Sequence, residues 1–172
     1  MPRWRDRYYR WMYRGGRPNW WARPQNRLSA IIGALVPSRM VELEVTGRRS
    51  GRRISFPLAV TDYQGERYLV AMLGENTNWV RNVRAAGGRA VLRRGLRREI
   101  VRLEDVDAAV RAPILRRYLD RAPGARPHIP VDRRAPLAQF GAIAGRFPVF
   151  RVTPATPAGS GQPYSQAADE PG

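Results

Sequence analysis

The chain contains no cysteine and no lysine, and its one histidine is His128. Without cysteine there is no disulfide, no thiolate nucleophile and no sulfur-ligated metal. A single histidine excludes multi-histidine metal sites and argues against a Ser-His-Asp triad. Long hydrophobic runs are missing as well. The most apolar stretch, Leu28 to Val36, is too short to span a bilayer and too far from the N-terminus for a secretory signal. A cytoplasmic protein without a metal site is the expectation.

Arginine is abundant. All 31 basic residues are arginine, set against 14 acids for a net charge of +17. Such a charge attracts polyanions. A nucleic-acid groove usually draws on lysine too, so an all-arginine, Ala- and Pro-rich composition reads more simply as the codon bias of a GC-rich bacterial genome. The 172 residues, 43% of them hydrophobic, suffice for one domain with a tail at each end.

Residues 1–37 are expected to be a basic, aromatic, helical segment. Trp4, Tyr8, Trp11 and Met12 fall on one helical stripe, with Arg3, Arg7, Arg10 and Arg14 beside it. Three readings stay open for residues 1–24: contact with an anionic membrane surface, packing on the rest of the fold, or contact with nucleic acid. Gln25 to Val36 reads as a short helix stopped by Pro37.

From residue 38 the period changes to two. Val41, Leu43 and Val45 alternate with polar residues, as do Ile54, Phe56, Leu58 and Val60 beyond the turn Gly47–Gly51. Pro57 marks an edge or a bulge. Tyr68 to Leu73 is continuously apolar and is expected to be a central strand. Asn78 is the expected N-cap of a helix from Trp79 to Ala86, stopped by Gly87-Gly88. Strands are expected near Arg89–Arg93 and Arg98–Leu103, turning at Gly95. Glu104 to Arg121 has a helical pattern with Pro113 kinking or restarting it, Pro136 to Ala144 is a further helix, and Phe147 to Val152 the last strand. Six short strands with helices between them imply a closed or nearly closed barrel over residues 38–153, not a parallel α/β sheet. Residues 154–172, rich in Pro, Gly, Ser and Ala, are expected to be a disordered tail.

Two segments are candidates for chemistry. In Thr46-Gly47-Arg48-Arg49-Ser50-Gly51, glycine-framed backbone N–H groups, two guanidiniums and a hydroxyl suit a phosphate or carboxylate. A plain basic hairpin turn fits the same residues. In the second, Ala71-Met72-Leu73-Gly74 leads into Trp79, Asn82 and Val83, bringing a strand end and a helix start together. There Trp79 suits covering an aromatic ring and Asn82 bonding its polar edge. A core anchor and a cap partner fit those two residues as well.

The order T-G-R-R-S-G, Pro57-Leu58, Tyr68 to Ala71 and Trp79-x-x-Asn82 resembles the deazaflavin-dependent nitroreductase and quinone reductase family of actinobacteria. The resemblance is good over residues 38–103 and loose elsewhere. It implies an α+β, mainly β fold: a split β-barrel like the flavin-binding pyridoxamine-phosphate oxidases, with six antiparallel strands and short flanking helices. It also implies an oxidoreductase using coenzyme F-420 to transfer a hydride to a small organic acceptor such as a quinone. Carried over, the phosphate or acidic tail falls to Arg48, Arg49, Ser50 and Gly51. The cofactor lining falls to Ile54, Pro57, Leu58, Ala71, Met72, Leu73, Gly74, Trp79, Asn82 and Val83. The chain departs from the family where Ile54 replaces a frequent arginine, where Val80 follows Trp79, and in lacking tyrosine between Tyr118 and Tyr164. Nitroimidazole activation is therefore not expected.

Such a cofactor carries the redox chemistry, so the protein needs mainly to orient, exclude water and supply a proton. Tyr118 and His128 are the candidate proton donors, with water equally open. The alternatives are an FMN- or haem-binding or deazaflavin-sequestering barrel, and a basic nucleic-acid barrel. The last would need aromatics along its strand faces, where only Phe56 and Tyr68 stand out, and no specific nucleic acid is expected. Monomer and homodimer both remain open, as does a peripheral position on the inner face of the membrane.

Overall fold

The computed structural model describes residues 39–155. The expected N-terminal helical segment and all but the first two residues of the expected tail lie outside them. Alternating side chains form six antiparallel strands: β1 (Met40–Thr46), β2 (Arg53–Tyr63), β3 (Glu66–Val70), β4 (Arg89–Arg94), β5 (Arg97–Asp105) and β6 (Val149–Pro154). They close into a barrel in the order β1-β2-β3-β6-β5-β4, with β4 pairing back onto β1. The α+β, six-stranded split-barrel expectation holds. The described residues also form three short helices, α1 (Asn78–Ala85), α2 (Arg111–Arg121) and α3 (Leu137–Ile143).

Period-two alternation sends Leu43, Val45, Val60, Leu69, Leu92, Val101, Leu103, Phe150 and Val152 into the barrel. Helix α1 adds Trp79, Val80 and Val83 to that core. A second core lies against the outer face of β3 and β6, where α2 and α3 bring Ile114, Leu115, Tyr118, Leu119 and Phe140 onto Tyr68, Val70 and Val149. The barrel is thus covered on one side and leaves the outer face of β4 and β5 largely exposed.

Several boundaries differ from the sequence expectation. The strand read as Tyr68 to Leu73 runs from Glu66 and ends at Val70, because the Val70 carbonyl accepts from the Met72 N–H (3.2 Å) and the Ala71 carbonyl from the Gly74 N–H (2.9 Å), a turn that takes the chain off the sheet. Thr77, not Asn78, is the N-cap of α1. Glu104 and Asp105 belong to β5, Ala108–Val110 form a 3-10 turn, and α2 starts only at Arg111. Pro113 therefore sits in the first turn of α2, where no N–H partner is lost: of the two expectations for it, the helix restarts there and is not kinked. The last strand starts at Val149 and includes Pro154, with the Ala155 N–H still donating to Ile100 O (3.1 Å).

Buried Arg111 joins β5, α2 and the end of α3. Its guanidinium donates to Val106 O (2.7 Å), Ala144 O (3.1 Å) and Asp105 Oδ1 (3.0 Å). Nothing in the residue pattern distinguishes it from the other arginines.

Candidate cofactor-binding site

The site begins with a change of partner along β2. Arg53–Ala59 pair with β1, and Val60–Tyr63 pair with β3. Since β3 ends at Val70, the edge of Arg53–Ala59 facing away from β1 has no strand partner among the described residues. Pro57, exposed, lies on this stretch, as a proline in a strand requires. Ile54, Phe56 and Leu58 share the inward face of Leu43 and Val45 but are only half-buried. The barrel is therefore split here. On the other side of the parting, residues 71–74 turn off β3, with Ala71 buried, Met72 and Gly74 half-buried and Leu73 36% exposed. Of the two segments expected to line a cofactor, one thus carries an unpaired strand edge and the other leaves the sheet after β3.

At the end of that strand edge stands the turn between β1 and β2. The Gly47 N–H donates to Arg52 O and the Gly51 N–H to Gly47 O, both at 2.8 Å. A Cβ on Gly47 would come within 2.7 Å of both Ile54 Cδ1 and Ser50 Oγ, so those two side chains would have to shift to admit one. Gly51 takes φ +63, which glycine adopts without strain. Ser50 Oγ accepts from the Arg52 N–H (3.3 Å). Asn82 ties this turn to α1. Its buried Oδ1 accepts from the Arg48 N–H (3.3 Å) and from Arg48 Nη1 (2.9 Å). Arg48 is thereby held against the helix. Exposed Arg49 and Arg52 make no ion pair among the described residues, so their guanidiniums are available to an anion.

The two candidate segments thus meet through Arg48 and Asn82. Asn82 holds the protein's own turn, a role that residue type and spacing do not reveal. Trp79 is 6% exposed and packs on Phe150, ring centroids 5.4 Å apart, and Val83 is fully buried beside it. All three are buried. Arg52 was not singled out by the sequence. Tyr118 is buried in the second core, and His128 sits half-buried in the loop after a 3-10 turn at Pro123–Ala125. Neither belongs to the basic turn or the open edge of β2.

A cleft of about 420 Å³ lies elsewhere, on the outer face, between Tyr63, Tyr68, Glu104, Asp105, Pro113 and Arg151. Its charges are already matched: Arg151 bonds Glu104 (2.8 Å) and Glu66 (3.2 Å), and Asp105 receives Arg84 (2.7 Å) and Arg111 (3.0 Å). None of the expected site residues lines it.

The fold is a split β-barrel in which an unpaired stretch of β2 runs up to a basic, glycine-framed turn. The profile of the F-420-H2-dependent quinone reductase family matches residues 19–136, well over half of the chain, and the chain belongs to that family. It is an F-420-dependent oxidoreductase, and the family supports F-420 rather than FMN as its cofactor. No curated protein matches the sequence. Among solved structures, an F-420-H2-dependent reductase is 20% identical, with TM-score 0.48 over 69% of this chain and 96% of that one. A protein of unknown function from Agrobacterium tumefaciens is 14% identical, with TM-score 0.50 over 76% of this chain and 55% of that one, a likeness of fold alone. Among the described residues no helix is long and apolar enough to cross a membrane.

Proposed function

We propose that the chain holds coenzyme F-420 in the opening between β2 and residues 71–74 and reduces a small quinone-type acceptor there. The observation that carries this reading is the unpaired edge of β2 ending in a turn with two unpaired guanidiniums. That donor set suits a molecule with an anionic tail and a planar heteroaromatic ring. When bound, the coenzyme supplies a hydride from its deazaflavin ring.

The protein's part is to bind, orient and exclude water. Arg49 and the Ser50 hydroxyl hold the phosphate or acidic tail beside Gly51, whose own N–H closes the turn onto Gly47 O, Arg52 adds charge, and Arg48 keeps the turn fixed through Asn82. Half-buried Ile54 and Leu58, with Pro57 at the edge, form one wall. Ala71, Met72, Leu73 and Gly74 form the other, and Trp79 and Val83 stiffen it from within. Water is the proton source, since Tyr118 and His128 lie outside these segments. A lipid-soluble quinone also gives the arginine- and tryptophan-rich residues 1–24 a role as a contact with an anionic membrane.

Fluorescence titration with F-420 and with FMN tests the reading. F-420 binds and FMN binds far more weakly. Arg49→Ala weakens F-420 by about 1.5–3 kcal/mol, the scale of a charge-assisted hydrogen bond. Reduced F-420 is oxidised in the presence of menadione, and His128→Ala retains most of that activity. Unchanged binding in the Arg48→Ala/Arg49→Ala double variant removes the assignment of the turn.

A further inference from the structure

The β4–β5 hairpin carries a surface that neither the barrel core nor the cofactor opening explains. Its turn is two residues long, with Gly95 first at φ +58, the backbone of a tight, rigid hairpin tip. The second turn residue, Leu96, is fully exposed. Around it stand Arg93, Arg94, Arg97 and Arg98, all exposed. The register sets arginine directly opposite arginine three times: Arg94 with Arg97, Arg93 with Arg98, and Arg89 with Arg102. Like charges facing each other across strands destabilise a hairpin, so this arrangement works against the fold. One carboxylate offsets it. Glu44 lies 3.8 Å from Arg93 and 3.7 Å from Arg98 and is nearer still to Arg53 (3.2 Å). Arg89, Arg94, Arg97 and Arg102 have no ion pair among the described residues. Farther up the same face Ile100 is 61% exposed beside half-buried Val91.

We propose that this hairpin docks on an anionic lipid surface, its arginines among the headgroups and Leu96 inserted between them. Charge complementarity selects an anionic partner, and the aliphatic tip selects among anionic partners. A single-stranded nucleic acid binds through aromatic stacking platforms, and the hairpin has no aromatic residue. A second copy meeting this face symmetrically brings the same arginine rows against themselves. A bilayer uses both features, because headgroups neutralise the guanidiniums and the acyl boundary takes the leucine. This contact is separate from residues 1–24 and does not depend on the identity of the acceptor.

The absence of cysteine makes a site-specific test direct. Leu96→Cys in the full chain takes one environment-sensitive fluorophore, and Ala138→Cys, on exposed α3, serves as the control. With vesicles containing one third phosphatidylglycerol the probe at position 96 shifts to the blue and the probe at 138 does not. Vesicles of phosphatidylcholine alone shift neither. The unlabelled Arg94→Gln/Arg97→Gln variant binds the anionic vesicles roughly 25-fold more weakly, about fivefold per arginine. Leu96→Ser also weakens binding, while melting temperature and F-420 titration confirm that both variants remain folded. A probe at 96 that stays solvent-exposed while the protein co-sediments places the contact elsewhere and overturns the proposal. So does vesicle binding unchanged in either variant, or binding of Leu96→Ser reduced for neither vesicles nor a single-stranded oligonucleotide that the arginine variant no longer holds.

Discussion

Asn82 shows how one residue serves fold and site together. It is 2% exposed, and its side-chain oxygen accepts both from the Arg48 backbone and from the Arg48 guanidinium. Asn82→Ala leaves a turn N–H and a charged donor without that acceptor, at a cost of about 1–3 kcal/mol in urea unfolding. The same change weakens F-420 binding, because the turn carrying Arg49 is no longer tied to α1. Asn82→Asp keeps an acceptor for both donors and preserves the fold better than alanine. Equal stability of the alanine variant and the wild type refutes the tie. In the sequence, Asn82 three positions after Trp79 is compatible with a cap, a ligand contact or this tie, and only its neighbour across 34 residues decides.

At the scale of elements, the α1–β4 junction and the β3–β6–β5 face each support a prediction. Gly88 has φ +81, and a Cβ there would meet Leu103 O at 2.5 Å, while at Gly87 (φ +61) it would meet nothing. Gly87→Ala costs about 1–2 kcal/mol for the left-handed backbone. Gly88→Ala costs more than Gly87→Ala, since the backbone of β5 must also move, and comparison of their urea midpoints tests this. On the outer face, burial and its hydrogen bond to Glu66 push the Tyr68 phenol up to about 12. An unfolded phenol titrates near 10.0, so this stabilisation is complete below that pH and lost as pH rises towards 12. The Glu66 carboxyl is held below its ordinary value by the same bond, and its contribution is lost only in acid. Melting temperature between pH 9 and 12 therefore falls more steeply in the wild type than in Tyr68→Phe. Parallel curves dismiss the coupling.

For the whole molecule, a net charge of +17 sets two salt dependences of opposite sign. Added salt screens the self-repulsion of the arginines and raises the melting temperature at low ionic strength. On the proposed binding mode it also screens the attraction between the β1–β2 turn and an anionic cofactor, so F-420 affinity is expected to fall over the same range. Melts and titrations at 20 and 300 mM sodium chloride read both effects. A cofactor affinity that does not change with salt contradicts the ionic grip while leaving the fold's response intact.

Alternation at Leu43 and Val45 and at Phe56, Leu58 and Val60, with the glycine-marked turns between strands, was enough to read a six-stranded barrel. Side-chain period and turn chemistry are local properties of the chain. The segments around Arg48 and Trp79 were legible for the same reason, through their order and residue types. Where a strand stops is not given by its apolar run: β3 ends at Val70 although Ala71 to Leu73 are equally apolar, because the Val70 and Ala71 carbonyls accept from the Met72 and Gly74 N–H groups in a turn. Glu104 and Asp105 carry a helical pattern yet extend β5, since β6 offers them a partner strand. The unpaired edge of β2, the tie from Asn82 to Arg48 and the buried position of Arg111 all depend on pairings between residues far apart in the chain. Tertiary structure alone decided them, because hydrogen-bond partners are allotted only when the barrel closes.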